Sequence, residues 1–184
     1  MRMPNLSRRA RRRCATWLYL PMTIIIDTRE QTPWCFSDMV KTEVATLKIG
    51  DYALKGDLTF CVERKSLEDF LGTISEGWER FQRELYRMDR LGVAQKVIVV
   101  EGDADSVFFS SCEEGIREPQ HNHPKLEPAF VMHRVAELMV VFRVAVLFAG
   151  CAEYAAAMAE RIFVERSKQL SNKVEMLKEL AGRK

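Results

Sequence analysis

The chain has 184 residues, 47% of them hydrophobic, with 28 basic and 26 acidic side chains and a formal net charge of +2. That length can bury one sizeable core and not a second, so a single domain with short tails is expected. A charge so close to balance excludes a uniformly cationic nucleic-acid binder and leaves any such surface to local clustering, and no apolar run is long enough for a membrane-spanning helix.

In chain order, Arg8, Arg9, Arg11, Arg12 and Arg13 come first and precede the apolar run from Ala15 to Ile26, an order that outwardly resembles a secretory leader. No small-residue cleavage pattern follows, and Ile24-Ile25-Ile26 leads directly into the acid Asp27. Residues 1–21 are therefore expected to be a disordered basic extension, with the domain, and the true start of translation, at Met22. Thr23 to Asp27 is predicted to be a buried strand. Glu43 to Leu54 and Leu58 to Lys65 are predicted as two strands around the turn Lys55-Gly56-Asp57. Leu67 to Ile74 has the pattern of a short helix. Trp78 to Leu91 has that of an amphipathic one, with Phe81, Leu85 and Met88 on one face and Arg80, Arg83, Arg87 and Arg90 elsewhere. Lys96 to Glu101 is an apolar strand ending in an acid. Gly102 to Lys125 has no period and is expected to be a long loop. Pro128 to Arg143 is helical, Val144 to Ala149 a strand, and Ala152 to Lys168 a helix, followed by a charged helical tail over 169–184. Strands alternating with helices imply an α/β domain over 22–168, a mixed central sheet flanked by helices. The five cysteines, Cys14, Cys35, Cys61, Cys112 and Cys151, are odd in number and lack a Cys-x-x-Cys spacing, which suggests a reducing, cytoplasmic setting and no zinc.

Side chains alternate along a strand, so Glu63 and Lys65 share one face while Val62 and Arg64 share the other. A three-residue turn at Lys55 to Asp57 would pair Leu54 with Leu58, Tyr52 with Phe60 and Asp51 with Cys61. That register sends Tyr52, Leu54, Leu58, Phe60 and Val62 one way, and Asp51, Cys61, Glu63 and Lys65 the other, a clean sorting that a one-residue slip would destroy. Two carboxylates and a lysine at a strand end have a definite use. Phosphodiester hydrolysis needs a hard cation held by a few carboxylate oxygens, which lowers the pKa of a bound water and polarises the phosphoryl oxygen. A lysine can orient that water or neutralise charge on the phosphate.

The string Gly50-Asp51, then Glu63-Arg64-Lys65, then Asp69 resembles the signature of the XPF-type nucleases, within the restriction-endonuclease-like superfamily. Asp27-Thr28-Arg29-Glu30 is similar to the family's opening acids after the first strand, and Arg80-Phe81 stands where the family has a basic residue on the next helix. The resemblance spans Thr23 to Arg166. It implies a DNA endonuclease acting at branched or junction DNA in repair or recombination, with Asp51, Glu63 and Lys65 as catalytic residues. Asp51 and Glu63 would bind Mg²⁺, or Mn²⁺ in its place, and Asp27 and Glu30 would be further metal ligands or support the ligands from behind. Arg64, either catalytic or structurally paired with Asp69 or Asp27, and Asp69 itself would support the site, and Arg80, Arg83 and Arg87 would hold DNA. DNA is the implied partner, with a homodimer as one assembly and neither a membrane nor a small-molecule substrate involved. The small size fits a bacterial or phage setting. Against the family's pattern, no tandem helix-hairpin-helix unit follows the core. The competing readings are a non-catalytic DNA-binding module, which retention of Asp51, Glu63 and Lys65 argues against, and a scaffold for another nuclease. Glu101 is expected as an ordinary strand-end polar residue, and His121-Asn122-His123 as a chance string.

Overall fold

The computed structural model describes residues 22–108 and 126–181. The N-terminal arginine cluster, Cys14, Cys112 and His121-Asn122-His123 lie outside these residues. Among those described there are six strands, β1 (Thr23–Asp27), β2 (Lys41–Ala45), β3 (Tyr52–Leu54), β4 (Phe60–Ser66), β5 (Gln95–Glu101) and β6 (Val144–Phe148). Five helices accompany them, α1 (Leu67–Ile74), α2 (Trp78–Arg90), α3 (Ala104–Phe108), α4 (Pro128–Val140) and α5 (Ala152–Ala181). The strands form one mixed sheet in the order β2-β1-β3-β4-β5-β6. β1–β2, β4–β5 and β5–β6 pair in parallel, and β3 is antiparallel to both its neighbours.

Both faces of the sheet are covered, which is why β1 and β5 read as unbroken apolar runs rather than alternating ones. On one face Cys61, Ile98 and Val100 meet Phe70, Leu71 and Ile74 of α1, Phe81, Leu85 and Met88 of α2, and Val131 and Leu138 of α4. The buried positions of α2 are Trp78, Phe81, Leu85 and Met88, the three- and four-residue spacing of one helical stripe. On the opposite face Ile24, Ile26, Tyr52, Leu54, Phe60, Val62, Val97 and Val99 meet Ala155, Ala156, Ala159 and Phe163 of α5. Truncating a fully buried member such as Leu85 to alanine would cost about 2–5 kcal/mol. Among the described residues, no helix is long and apolar enough to cross a membrane.

Four expectations change. The single strand over Glu43 to Leu54 is two, because β2 and β3 lie on opposite sides of β1 and one continuous strand cannot occupy both edges. The chain turns between them through Gly50, whose φ of +72° is open to glycine. The hairpin pairs Tyr52 with Val62, not Phe60. This two-residue shift keeps the parity, so Tyr52, Leu54, Phe60 and Val62 share the apolar face as expected, but it lengthens the connection and leaves Leu58 84% exposed rather than on that face. Ala104–Phe108 is a short helix inside the expected loop, anchored by the buried Val107. Finally, the helix expected over 169–184 is present as far as Ala181, but as an unbroken continuation of α5 and not as a separate tail, since no glycine or proline interrupts it.

Candidate active site

The site grows from the β3–β4 pairing. Tyr52 is paired with Ile26 of β1 and with Val62 of β4, so Asp51, the residue before it, stands beside Asp27 and next to the Val62–Glu63 step of β4. The Asp27 N–H donates to the Asp51 carbonyl at 2.9 Å, and the Asp51 N–H to the Val62 carbonyl at 3.0 Å. Asp27 at the end of β1, Asp51 just before β3 and Glu63 in β4 thus form an acidic row at one end of the sheet, where the charge of Asp51 reaches Glu63, with Lys65 two residues on from Glu63 and on its face. The glycine before Asp51 has a steric reason: a Cβ on Gly50 would stand 2.8 Å from the Cys61 Cβ and 3.1 Å from the Val62 carbonyl oxygen. The close approach of Gly50 to β4 is what delivers Asp51 to Glu63.

Charge is concentrated here with little to offset it. Burial pushes the Glu63 carboxyl up to about 7, with Asp51 adding to the rise and Lys65 opposing it. Burial also raises Asp51, against the pull of the Arg64 amide, whose N–H donates to Asp51 Oδ2 at 2.8 Å. Lys65 Nζ lies 3.4 Å from Glu63 Oε1 and 5.9 Å from the centre of the Phe81 ring, so α2 helps to place it. Perturbed acids facing one another in a partly open site are the usual mark of a functional centre.

The other expected residues are distributed differently. Asp27 continues the row, but its carboxylate is occupied. Oδ1 accepts from Arg29 Nε at 2.6 Å and from the Arg29 backbone N–H at 2.9 Å, and Oδ2 accepts from the Leu47 N–H at 2.6 Å. The Arg29 hydrogen bond, the largest influence, holds Asp27 below its ordinary range. Glu30 accepts from the Tyr52 hydroxyl and from Arg64, each at 3.1 Å. Arg64 pairs with neither Asp69 nor Asp27. Its guanidinium takes Glu30 and Glu101 instead, because Arg64 faces the opposite side of the sheet from Glu63. Asp69 is occupied by Ser66: it starts α1 by donating its N–H to Ser66 Oγ at 3.0 Å and accepting the same hydroxyl at 2.9 Å, a helix-starting cap. Arg80, Arg83 and Arg87 are all exposed on α2. Arg87 lies 3.7 Å from Glu84. Among the described residues, no three His, Cys, Asp or Glu side chains are gathered closely enough to hold a metal between them.

Sequence reasoning gave no role to Arg29 and undervalued Glu101. Arg29 remains 69% exposed although its Nε is anchored on the inaccessible Asp27, and the charges of Asp51 and Glu63 reach it. The Asp-x-Arg spacing was its available signal, since an Asp readily bonds the backbone two residues on. Glu101 had none, because its partners Arg64 and Trp34 lie 37 and 67 residues away.

The sequence matches the ERCC4 domain over residues 26–162. No curated protein is significantly similar in sequence. Among solved structures, XPF from Aeropyrum pernix superposes with a TM-score of 0.59 at 20% identity, covering 83% of this chain and 69% of that one. XPF from Aeropyrum pernix in complex with DNA gives 0.54 at 18% identity, covering 83% and 66%. At these identities the structural matches establish the fold, a restriction-endonuclease-like α/β core.

Proposed function

The chain belongs to the ERCC4-domain family, an XPF-type nuclease domain, and from that premise we propose that it is a divalent-metal-dependent endonuclease acting on branched or junction DNA. The observation that carries this reading is the meeting of Asp51, just before β3, with Glu63 and Lys65 of β4, both acids being raised by burial.

The donor set fits a hard cation. Mg²⁺ is commonly held by one or two carboxylates together with waters and substrate phosphate oxygens, so Asp51 and Glu63 suffice, and a divalent charge offsets the strain between them. Asp27, with both oxygens engaged by Arg29 and the Leu47 N–H, and Glu30, with Oε2 engaged by Tyr52 and Arg64, hold the surroundings rather than the ion. When bound, the metal supplies Lewis acidity and a water of lowered pKa. The protein's own part is to keep Asp51 in line through the Arg64 amide, and to set Lys65, held between Glu63 and the Phe81 ring, where it can neutralise charge developing on the phosphate. Arg29, and Arg80 beside Phe81, offer exposed guanidinium groups for flanking phosphates. Such contacts position a nucleic acid without reading its sequence, which suits a substrate recognised by shape. That XPF from Aeropyrum pernix has been solved in complex with DNA supports DNA as the ligand here.

The test is cleavage of flap, splayed-arm, four-way-junction and plain duplex DNA in Mg²⁺, with a chelator control and the Glu63→Ala variant. Chelator-sensitive cutting of the branched substrates that Glu63→Ala abolishes is expected. Folded Glu63→Ala protein cutting at the wild-type rate would refute the assignment.

A further inference from the structure

Behind the acidic row, on the opposite face of the sheet, lies a second polar assembly that the proposed chemistry does not use. Arg64 donates from Nε to Glu101 Oε1 at 2.8 Å and from Nη2 to Glu101 Oε2 at 3.2 Å, a two-pronged grip. Its Nη1 donates to Glu30 Oε2 at 3.1 Å and to the Thr32 carbonyl. Trp34 closes the assembly: its Nε1 donates to Glu101 Oε1 at 2.5 Å, its ring lies 5.7 Å from the Arg64 guanidinium carbon, and it stacks on Tyr52 at 4.5 Å. The Tyr52 hydroxyl accepts the Trp34 backbone N–H at 3.0 Å and donates to Glu30 at 3.1 Å. The segment after β1 and the strands β3, β4 and β5 are thereby tied to one guanidinium.

Stability alone is a poor reason for this arrangement. The Arg64 and Glu101 side chains are only 19% and 17% exposed, and the desolvation of such ions commonly cancels their attraction, so apolar packing would serve the fold as well. What an ion cluster adds is a defined geometry. Arg64 is the residue between Glu63 and Lys65, and its own amide holds Asp51 Oδ2 at 2.8 Å. Fixing its side chain behind the sheet fixes the peptide on which all three front-face groups depend.

We infer that Glu101 and Trp34 are positioning residues that act through Arg64 to hold Asp51, Glu63 and Lys65 in register; the catalytic part of this inference rests on the endonuclease reading above. A displacement of reacting groups by about 1 Å can cost on the order of a hundredfold in rate.

The experiment compares wild-type protein with Glu101→Gln and, as a second variant, Trp34→Phe, each in two measurements. In the metal-free protein, amide exchange at Arg64 is followed by NMR against the β5 amides of Val97 and Ile98. In the second, single-turnover cleavage of branched DNA in Mg²⁺ is measured beside DNA affinity in Ca²⁺. The Arg64 amide is expected to exchange about tenfold faster in Glu101→Gln while the reference amides keep their rates. Cleavage at saturating DNA should fall about ten- to a hundredfold with affinity unchanged, and Trp34→Phe should move both readings the same way by less. Unchanged Arg64 exchange, or equal acceleration of every β4 and β5 amide, would overturn the inference, since a merely structural role loosens the sheet as a whole. If wild-type protein shows no metal-dependent cleavage, the endonuclease reading falls, and the exchange ratio alone upholds or overturns the coupling of Glu101 to Arg64.

Discussion

Replacing Glu63 by glutamine removes the charge that the fold tolerates least while keeping the shape of the side chain. Its carboxyl, ordinarily near 4.5, titrates at about 7 in the folded protein. At about 1.4 kcal/mol for each pH unit, ionising it in the metal-free protein costs roughly 3 kcal/mol, a figure that already includes the attraction of Lys65. The side chain is 27% exposed, so screening reduces this to about 2 kcal/mol. The sign follows from linkage. An acid raised on folding binds more protons in the native than in the unfolded chain between about pH 4.5 and 7, so native stability falls as pH rises through that window. Glu63→Gln should therefore match wild type in metal-free urea unfolding at pH 4.5, and exceed it at pH 8 by about 2 kcal/mol, while showing no cleavage. Added Mg²⁺ should raise wild-type stability at pH 8 and leave the variant unmoved. Equal wild-type and variant stabilities at pH 8 would refute the reasoning, because Glu63 would then be solvated by water and neither desolvated by burial nor crowded by Asp51.

The same raised acid predicts that wild-type cleavage at subsaturating Mg²⁺ increases as pH rises through about 7, since the metal must displace a proton from Glu63; a flat profile between pH 6 and 8 would contradict it. Arg166→Ala should be strongly destabilising with no direct effect on chemistry. Arg166 Nε reaches Asp57 Oδ2 at 2.7 Å, with side chains 13% and 4% exposed, and stranding that carboxylate costs about 3–5 kcal/mol, a melting shift of roughly 10 °C. Burial tends to raise Asp57, but its bonds to Arg166 and Thr59 prevail and hold it below its ordinary range. The difference between Arg166→Ala and wild type should thus be full at neutral pH and shrink as acid protonates Asp57. Arg29→Ala should weaken binding to every DNA sequence and lower the slope of log affinity against log salt by about one; an unchanged slope in a filter-binding titration would remove Arg29 from the DNA path.

Strands and helices whose burial is set by their own period were legible from residues 23–27, 67–74 and 78–90, because an amphipathic stripe or an apolar run states which side is covered. The grouping of Asp51, Glu63 and Lys65 was legible for the same reason. A strand alternates strictly, so the hairpin could slip by two residues, from Phe60 to Val62 opposite Tyr52, without parting Glu63 from Lys65, whereas Asp51, just before β3, is held beside them by the Arg64 amide. Tertiary structure decided what local pattern cannot encode. That β2 and β3 flank β1 on opposite sides depends on which edges of the sheet are free. That Arg64 chose Glu30 and Glu101 over Asp69 and Asp27 depends on partners brought from 34 and 37 residues away. In sequence Asp27 and Glu30 stand either as further ligands beside Asp51 and Glu63 or as support behind them. Only the folded chain shows both oxygens of Asp27 taken by Arg29 and the Leu47 N–H and one oxygen of Glu30 taken by Tyr52 and Arg64, because a carboxylate's availability is set by which donors surround it in space.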